Sequence, residues 1–374
     1  VLGNPYVGLF RTLDGTVQNL TLSGLTMSRT LDNVYLGGIA GKNNGTIKNT
    51  SVSGTVTSAT SATPTAAGLV GWNSSTGTIQ DSNAAVSVST TTSDAVVGGL
   101  VGKNEGSISG AYASGAVSGG NATAAIGGLV GINTGSITNA FATGNVTAGA
   151  GSGGLGVTIK GIGGLVGYAE GNINSVFATG SVASTSSGYD IGGLIGFANN
   201  LTLNKAYASG NITGGSGQNV GGLIGKSRLS TVSNAYALGS ITLTGTGTEV
   251  GSFVGLQVSG STSYAYSTGR ITFTLGSDTT LGFYGSNGSS GTFTASYWNK
   301  DTSGISASPG QSGVDGLSNT EMTSGNIAQV GWDTSVWSRI SNQNSGFPVM
   351  AAGVSRLYVR LVSDTSPYGS TRTL

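Results

Sequence analysis

The residue types that usually perform chemistry are thinly spread in this chain. Its 374 residues include no His and no Cys. That removes the commonest general base, the commonest transition-metal ligand and any thiolate nucleophile together. Carboxylate chemistry remains, carried by only 14 acids scattered along the chain. Glycoside hydrolysis needs two carboxyl groups about 5–5.5 Å apart for retention, or about 6.5–9.5 Å apart for inversion. Glu105 and Glu170 are the pair to test, because they share a turn position in units two repeats apart. Strand spacing puts them about 10 Å apart. No third charged group accompanies them, so solvated turn charge is the better reading of both.

Three further sets could bind rather than catalyse. Tyr112, Phe141, Phe177, Tyr207, Tyr236, Tyr266 and Tyr297 recur at one repeat position, which Ser51 and Asn83 occupy earlier in the chain. Exposed rings bind sugars, but rings on successive strands also stack, and free exchange of Phe and Tyr marks the hydroxyl as optional. Stacking that fills a corner of the core is the reading adopted. Lys42, Lys103 and Lys226 share a second position, interrupted by Trp72, Ile132, Tyr168 and Phe197; acidic polysaccharide could meet them, although a solvated face is the simpler account. Thr143, Thr147, Thr179 and Thr213 raise ice binding, yet no Thr-x-Thr column repeats through the units.

What must position all of these is a repeat. Gly-Gly-Leu-Val-Gly, a polar turn and Asn-Ala-Tyr-Ala-Thr-Gly return about every 30 residues, with first positions at Val7, Gly37, Ala67, Gly98, Gly127, Gly163, Gly192, Gly221, Gly251 and Leu281. The one long step is absorbed by the Gly-rich insert at 149–156. A fixed period of this length means stacked units that touch only their neighbours. Four apolar columns keep register: the residue before the glycines (such as Ile126 and Ile162), the Leu column (Leu100, Leu129, Leu165, Leu194, Leu223), the residue after the Asn-x-Gly turn (such as Ile108 and Ile137), and a last Val/Ile position (such as Val117 and Val146).

The segments are short, β-branched and punctuated by Gly and Asn, with no sustained helical period, so they read as strands. Three strands of about four to six residues per unit predict three parallel sheets around a dry core. The fold expected is all-β, a right-handed parallel β-helix of about ten rungs with a period near 30 residues, capped C-terminally. Gly serves positive φ or close backbone approach at the turns, and Asn43, Asn73, Asn104 and Asn133 are placed to bond rung to rung.

Composition excludes several classes. Lys+Arg 15 against Asp+Glu 14 gives a net charge of +1, too little positive charge for a nucleic-acid partner or a polybasic membrane anchor. No apolar run reaches the roughly 18 residues of a membrane span, and no signal peptide is visible. Val1-Leu-Gly-Asn opens inside the pattern, which suggests a piece of a longer chain. Asn-x-Ser/Thr triplets at Asn19, Asn49, Asn73, Asn121, Asn145 and Asn211 arise readily in a Thr-rich sequence, and no modification is assigned to them.

Gly-Gly-Leu-Val-Gly followed by Ile-x-Asn-Ala-Tyr-Ala-Thr-Gly resembles the GLUG motif over roughly residues 7 to 300. Similar repeats occur in large bacterial surface proteins, including filamentous-haemagglutinin-like exoproteins of two-partner secretion. The segment from Tyr297-Trp-Asn-Lys-Asp through Gly346-Phe-Pro-Val resembles the closure of such arrays, and Tyr358 to Leu374 resembles the opening of a β-sandwich module. The resemblance implies a GLUG-repeat β-helix at 1–290, a cap at 291–350, and the start of a following module or linker at 351–374.

It further implies a non-enzymatic, extracellular adhesin segment acting in attachment or biofilm, with no cofactor, metal or catalytic residue. Its partners would be host or matrix glycans or surface receptors, together with the remainder of the exoprotein; neither nucleic acid nor membrane insertion of this segment is expected. A carbohydrate-active β-helix enzyme is the alternative, and an ice-binding solenoid the second. Ligand surfaces are expected at departures from the repeat, namely 149–156, the loop after Val56, and the segment from Trp298.

Overall fold

The computed structural model describes residues 5–30, 33–59, 63–91, 94–120, 124–149, 161–184, 189–215, 219–245, 249–274, 282–306, 311–324, 331–339 and 344–351. The coil at 125–148 shows the local rules. A first strand, Ala125–Gly127, buries Ile126; a Gly-Leu corner leads to a second, Val130–Asn133, which buries Val130 and Asn133. The third, Ser136–Ala142, buries Ile137, Ala140 and Ala142, and the fourth, Val146–Ala148, buries Val146 and Ala148. Inward and outward side chains alternate as strand geometry requires.

Each strand pairs in parallel with its counterparts one coil above and below, as in Ala125↔Val96 and Ala125↔Gly161. First-track strands form a nine-stranded sheet, one strand per coil among the described residues. The other tracks join into a single 28-stranded sheet, because some strands run on through a corner: Val166–Ala178 spans the second and third tracks and Ser51–Ser58 the third and fourth. The fold is therefore an all-β parallel solenoid with a period near 30 residues. It has four tracks in two hydrogen-bonded sheets instead of the three sheets expected, since the Asn-Ala-Tyr segment takes a corner of its own.

All four apolar columns lie in one core; Leu100, Leu129, Leu165, Leu194 and Leu223 are each 0% exposed. Their amides are laddered as well, with Leu129 N donating to Leu165 O and Leu165 N to Leu194 O, both at 2.9 Å. At about 1.5–3 kcal/mol per buried side chain, this column is a main stabiliser of the stack.

Close approach, and not positive φ, dictates the repeated glycines. A Cβ on Gly127 would stand 1.9 Å from Val130 O, and one on Gly128 2.1 Å from Gly164 O on the next coil. Left-handed backbone is used instead at the corner before the aromatic position, where Asn19, Asn49, Asp81, Gly110 and Asn139 all have positive φ. Asn and Gly adopt that conformation most readily, and Asp is the next best suited.

The Asn ladder forms as expected. Asn43 Nδ2 donates to Asn73 Oδ1 (2.7 Å), Asn73 to Asn104 (2.8 Å) and Asn104 to Asn133 (2.7 Å), all four side chains being 0% exposed. Asn73 has no room for a glycan. Of the insert at 149–156, only Gly149 is described, donating to Gly119 O at 3.0 Å. Register resumes beyond it, Ile126 pairing with Ile162 and Gly127 with Gly163. Residues 60–62 of the loop after Val56, and 352–374, lie outside the described residues.

Parallel pairing continues through Ser296–Asn299 to Val314–Leu317. Trp298, buried beneath Gly282, fills the core at this end. Beyond it come two short helices, Lys300–Ser303 and Asn319–Ser324, and an antiparallel pair, Trp337–Ser338 with Val349–Met350.

Candidate binding surface

The aromatic column points outward, which corrects the expectation that it fills a corner of the core. Ala140 and Ala142 occupy the inward positions on either side of Phe141, which is half-buried. Outside, the rings form a ladder: Tyr112–Phe141, Phe141–Phe177, Phe177–Tyr207 and Tyr207–Tyr236 have centroids 4.7–4.9 Å apart and planes within 3°.

The C-terminal segment folds back along the side of the solenoid and docks on the end of this ladder. Met322, Trp332, Trp337, Phe347 and Met350 make a second apolar cluster with Tyr236 and Tyr266. Trp337 lies 6.1 Å from Tyr236 and 5.9 Å from Tyr266, and its Nε1 donates to Asn234 Oδ1 at 3.0 Å. Tyr266 Oη donates to Pro348 O (2.5 Å) and Asn344 Nδ2 donates to Tyr266 Oη (2.6 Å). Burial drives the Tyr266 phenol well above its ordinary pKa and raises Tyr207 to about 12. The ladder is thus the seat of the cap.

Two other outward columns run side by side. One carries Lys42, Trp72, Lys103, Ile132, Tyr168, Phe197 and Lys226 in direct register. The other carries Tyr6, Tyr35, Thr65, Val96, Ala125, Gly161, Asp190, Asn219 and Glu249. The lysines are therefore not simply a solvated face. Lys42 Nζ stands 4.3 Å from the Trp72 ring centroid and Lys103 Nζ 5.3 Å; Lys226 Nζ stands 5.1 Å from that of Phe197. These are cation–π distances. In the sequence Trp72 interrupts a Lys column; in the structure it is the residue that organises that column.

Glu105 and Glu170 do not share a site. Glu105 Oε1 pairs with Lys103 Nζ at 2.7 Å. Glu170 Oε1 accepts from Tyr168 Oη and, at 2.9 Å, from Asn199 Nδ2. Burial first, and this bond to Glu170 second, push the Tyr168 phenol up to about 12. Each carboxylate is thus engaged by a separate set of neighbours.

Farther along, Asn219 donates to Asp190, whose carboxyl burial raises to about 6 against the opposing pull of Asn219 and Lys226. Burial likewise raises Glu249. Among the described residues no group of three or more acids could hold a metal ion, and no helix is long and apolar enough to cross a membrane.

Of the threonines, Thr147 and Thr213 fall in one outward column with Ala183 between them. The positions two residues earlier include Asn145 and Asn211, each of which accepts a backbone N–H from the next coil at 3.0 Å. A flat two-row Thr array is therefore not built.

Comparison with known proteins agrees with this geometry. Residues 32–57, 94–118 and 122–147 match the GLUG motif, and each match spans one coil from its first strand to its fourth. No curated protein matches the chain. The chain carries a GLUG-repeat region, and one motif is one turn of the solenoid.

Proposed function

We propose that this chain is a non-enzymatic segment of a secreted or cell-surface bacterial adhesin, acting as a rigid stalk with a lateral binding surface for host or matrix glycans or for surface receptors. One observation carries the reading: the regular positions of the repeat serve the backbone ladder, the core or the seat of the cap, while the irregular chemistry gathers in two adjacent outward columns. A stiff object with one decorated side suits presentation. The dispersed acids favour binding over glycoside cleavage, because Glu105 and Glu170 each answer to different neighbours. Fold alone lends no activity to a β-solenoid.

The test is a glycan array on the purified chain, followed by incubation of the bound polysaccharides and assay for reducing ends and unsaturated products. Binding without turnover is expected. Turnover that disappears in Glu105→Gln or Glu170→Gln would make the chain an enzyme.

A further inference from the structure

The place where rings and cations converge most closely is the start of the two outward columns. Tyr6 and Tyr35 lie 5.5 Å apart, and Trp72 lies 5.5 Å from Tyr35 and 6.1 Å from Tyr6. Their planes are inclined by 40°, 32° and 41°, so these rings cup a surface where those of the capped ladder are parallel. Coil stacking does not require them, since Val96, Ala125 and Ile132 hold the same columns farther along. Lys42 Nζ lies over Trp72 and, at 5.8 Å, over Tyr6, and among the described residues it has no ion-pair partner. Lys103, whose Nζ is 5.3 Å from the same indole centroid, is neutralised by Glu105. The cluster therefore carries one uncompensated positive charge beside three half-buried rings. The Trp72 indole N–H has no hydrogen-bond acceptor in the structure.

We propose that Tyr6, Tyr35 and Trp72, with Lys42 and Lys103, form a binding site for an acidic glycan, a carboxylated or sulfated saccharide; this rests on the adhesin reading and names its ligand class. The rings offer apolar faces to the C–H side of a sugar. Lys42 supplies the charge-assisted bond to its carboxylate or sulfate, the interaction that discriminates acidic from neutral sugars. Glu105 holds Lys103 at one rim, and an acid group on the ligand competes with it for that ammonium.

Trp72 reports on the site directly, because it is half-buried while Trp298, Trp332 and Trp337 are buried. Titrating the full chain with heparin-derived oligosaccharides, oligogalacturonate and neutral malto-oligosaccharides should give a saturable change in tryptophan emission with the acidic series alone. The affinity should fall as salt rises. By calorimetry, Lys42→Gln should weaken binding on the order of tenfold and Trp72→Ala should abolish it. Lys226→Gln, outside the cluster, should leave it unchanged, and melting curves show that each variant is folded.

Equal binding of neutral sugars would overturn the charge assignment. Full acidic-glycan binding by a folded Trp72→Ala variant would overturn the site and leave the adhesin reading standing. Silence of the unmodified chain toward every glycan would remove both the site and the glycan partner. Tyr6→Leu with Tyr35→Leu gives a second check, since it retains both cations and should lose the same binding.

Discussion

The coils before the insert and those after it close the same corner in different ways. From residue 35 to 149, the second strand ends at a buried Asn, a tight turn follows, and Asn43, Asn73, Asn104 and Asn133 are hydrogen-bonded in series. From residue 161 to 228, Ala169, Ala198 and Ser227 stand at that position. The chain there runs through the corner as one strand, Val166–Ala178 and then Ile195–Ala208, bending at left-handed Gly171, Asn200 and Leu229. One backbone stack thus accepts a polar corner built by side chains or an apolar corner built by φ. Amides return farther on, where Gln257 and Asn287 donate to Ser259 O and Gly291 O. In a polar ladder each member satisfies the next, so a change at one rung is felt by its neighbours. The apolar corner is local and can change one coil at a time.

The largest effect should come from the cap, which among the described residues packs on the later coils. Trp337→Ala removes a buried indole from Tyr236, Tyr266 and Asn234 and should cost about 3–5 kcal/mol. Amides around 219–270 should lose hydrogen-exchange protection before those around 35–133. Uniform loss would show that the two regions unfold as one body, and an unchanged urea midpoint would show that the cap adds no stability. Leu165→Ala, in the first coil after the insert, should cost about 2–5 kcal/mol. Because coupling in a solenoid passes only between neighbours, it should also split unfolding into two transitions; a single shifted transition would argue that the seam is as strong as the rest.

The corners themselves can be compared by substitution. Asn104→Ala leaves the Asn73 amide without its 2.8 Å acceptor and the Asn133 carbonyl without its 2.7 Å donor. The expected cost is about 1–3 kcal/mol. Ser227→Ala removes a buried hydroxyl that has no partner and should be neutral or slightly stabilising. Similar costs from the two substitutions would erase the distinction. Leu229 sits at φ 51 and is 57% exposed, in register with left-handed Asn200 on the coil before. A leucine there carries left-handed strain, so Leu229→Gly should raise stability by up to about 1 kcal/mol; a lower denaturation midpoint would show that its side chain has a packing role.

The core was legible in the sequence because every coil repeats it: Leu165 and its column have one environment and one residue type. Asn43 through Asn133 were legible for the same reason, an identical residue facing an identical residue. The side on which Phe141 points was harder to read, since a period near 30 residues marks inward and outward columns alike. The signal lay in the shorter alternation, where small Ala140 and Ala142 flank the ring and take the inside. That Trp72 sits between Lys42 and Lys103 was legible, since the three share one column in register; its contact with Tyr6 and Tyr35 crosses between two tracks and was not. The seating of Trp337 on Asn234 joins residues 103 apart, and no local pattern announces it.

The last predicted effect varies with pH, and it too separates the two regions. The first-track outward column is uncharged in the early coils, at Tyr35, Thr65, Val96 and Ala125, but carries Asp190 and Glu249 later. Facing Asp190 are the Asn219 amide, the Lys226 ammonium and the Glu249 carboxylate; burial outweighs the first two and raises its pKa to about 6, against about 3.9 for an unfolded Asp. Between these values the folded chain holds a proton that the unfolded chain has released. Its contribution to stability is therefore fully present below about pH 4 and is lost as pH rises through about 6. Asp190→Asn keeps an oxygen to accept the Asn219 amide and removes the charge. The variant should be the more stable form at pH 7.5, by a margin that narrows through pH 6 and 5 and closes near pH 4. Urea midpoints of both proteins at those four values measure the margin. A margin that stayed constant with pH would mean that Asp190 ionises as freely in the folded chain as in the unfolded one, and the electrostatic difference between the early and late coils would then disappear.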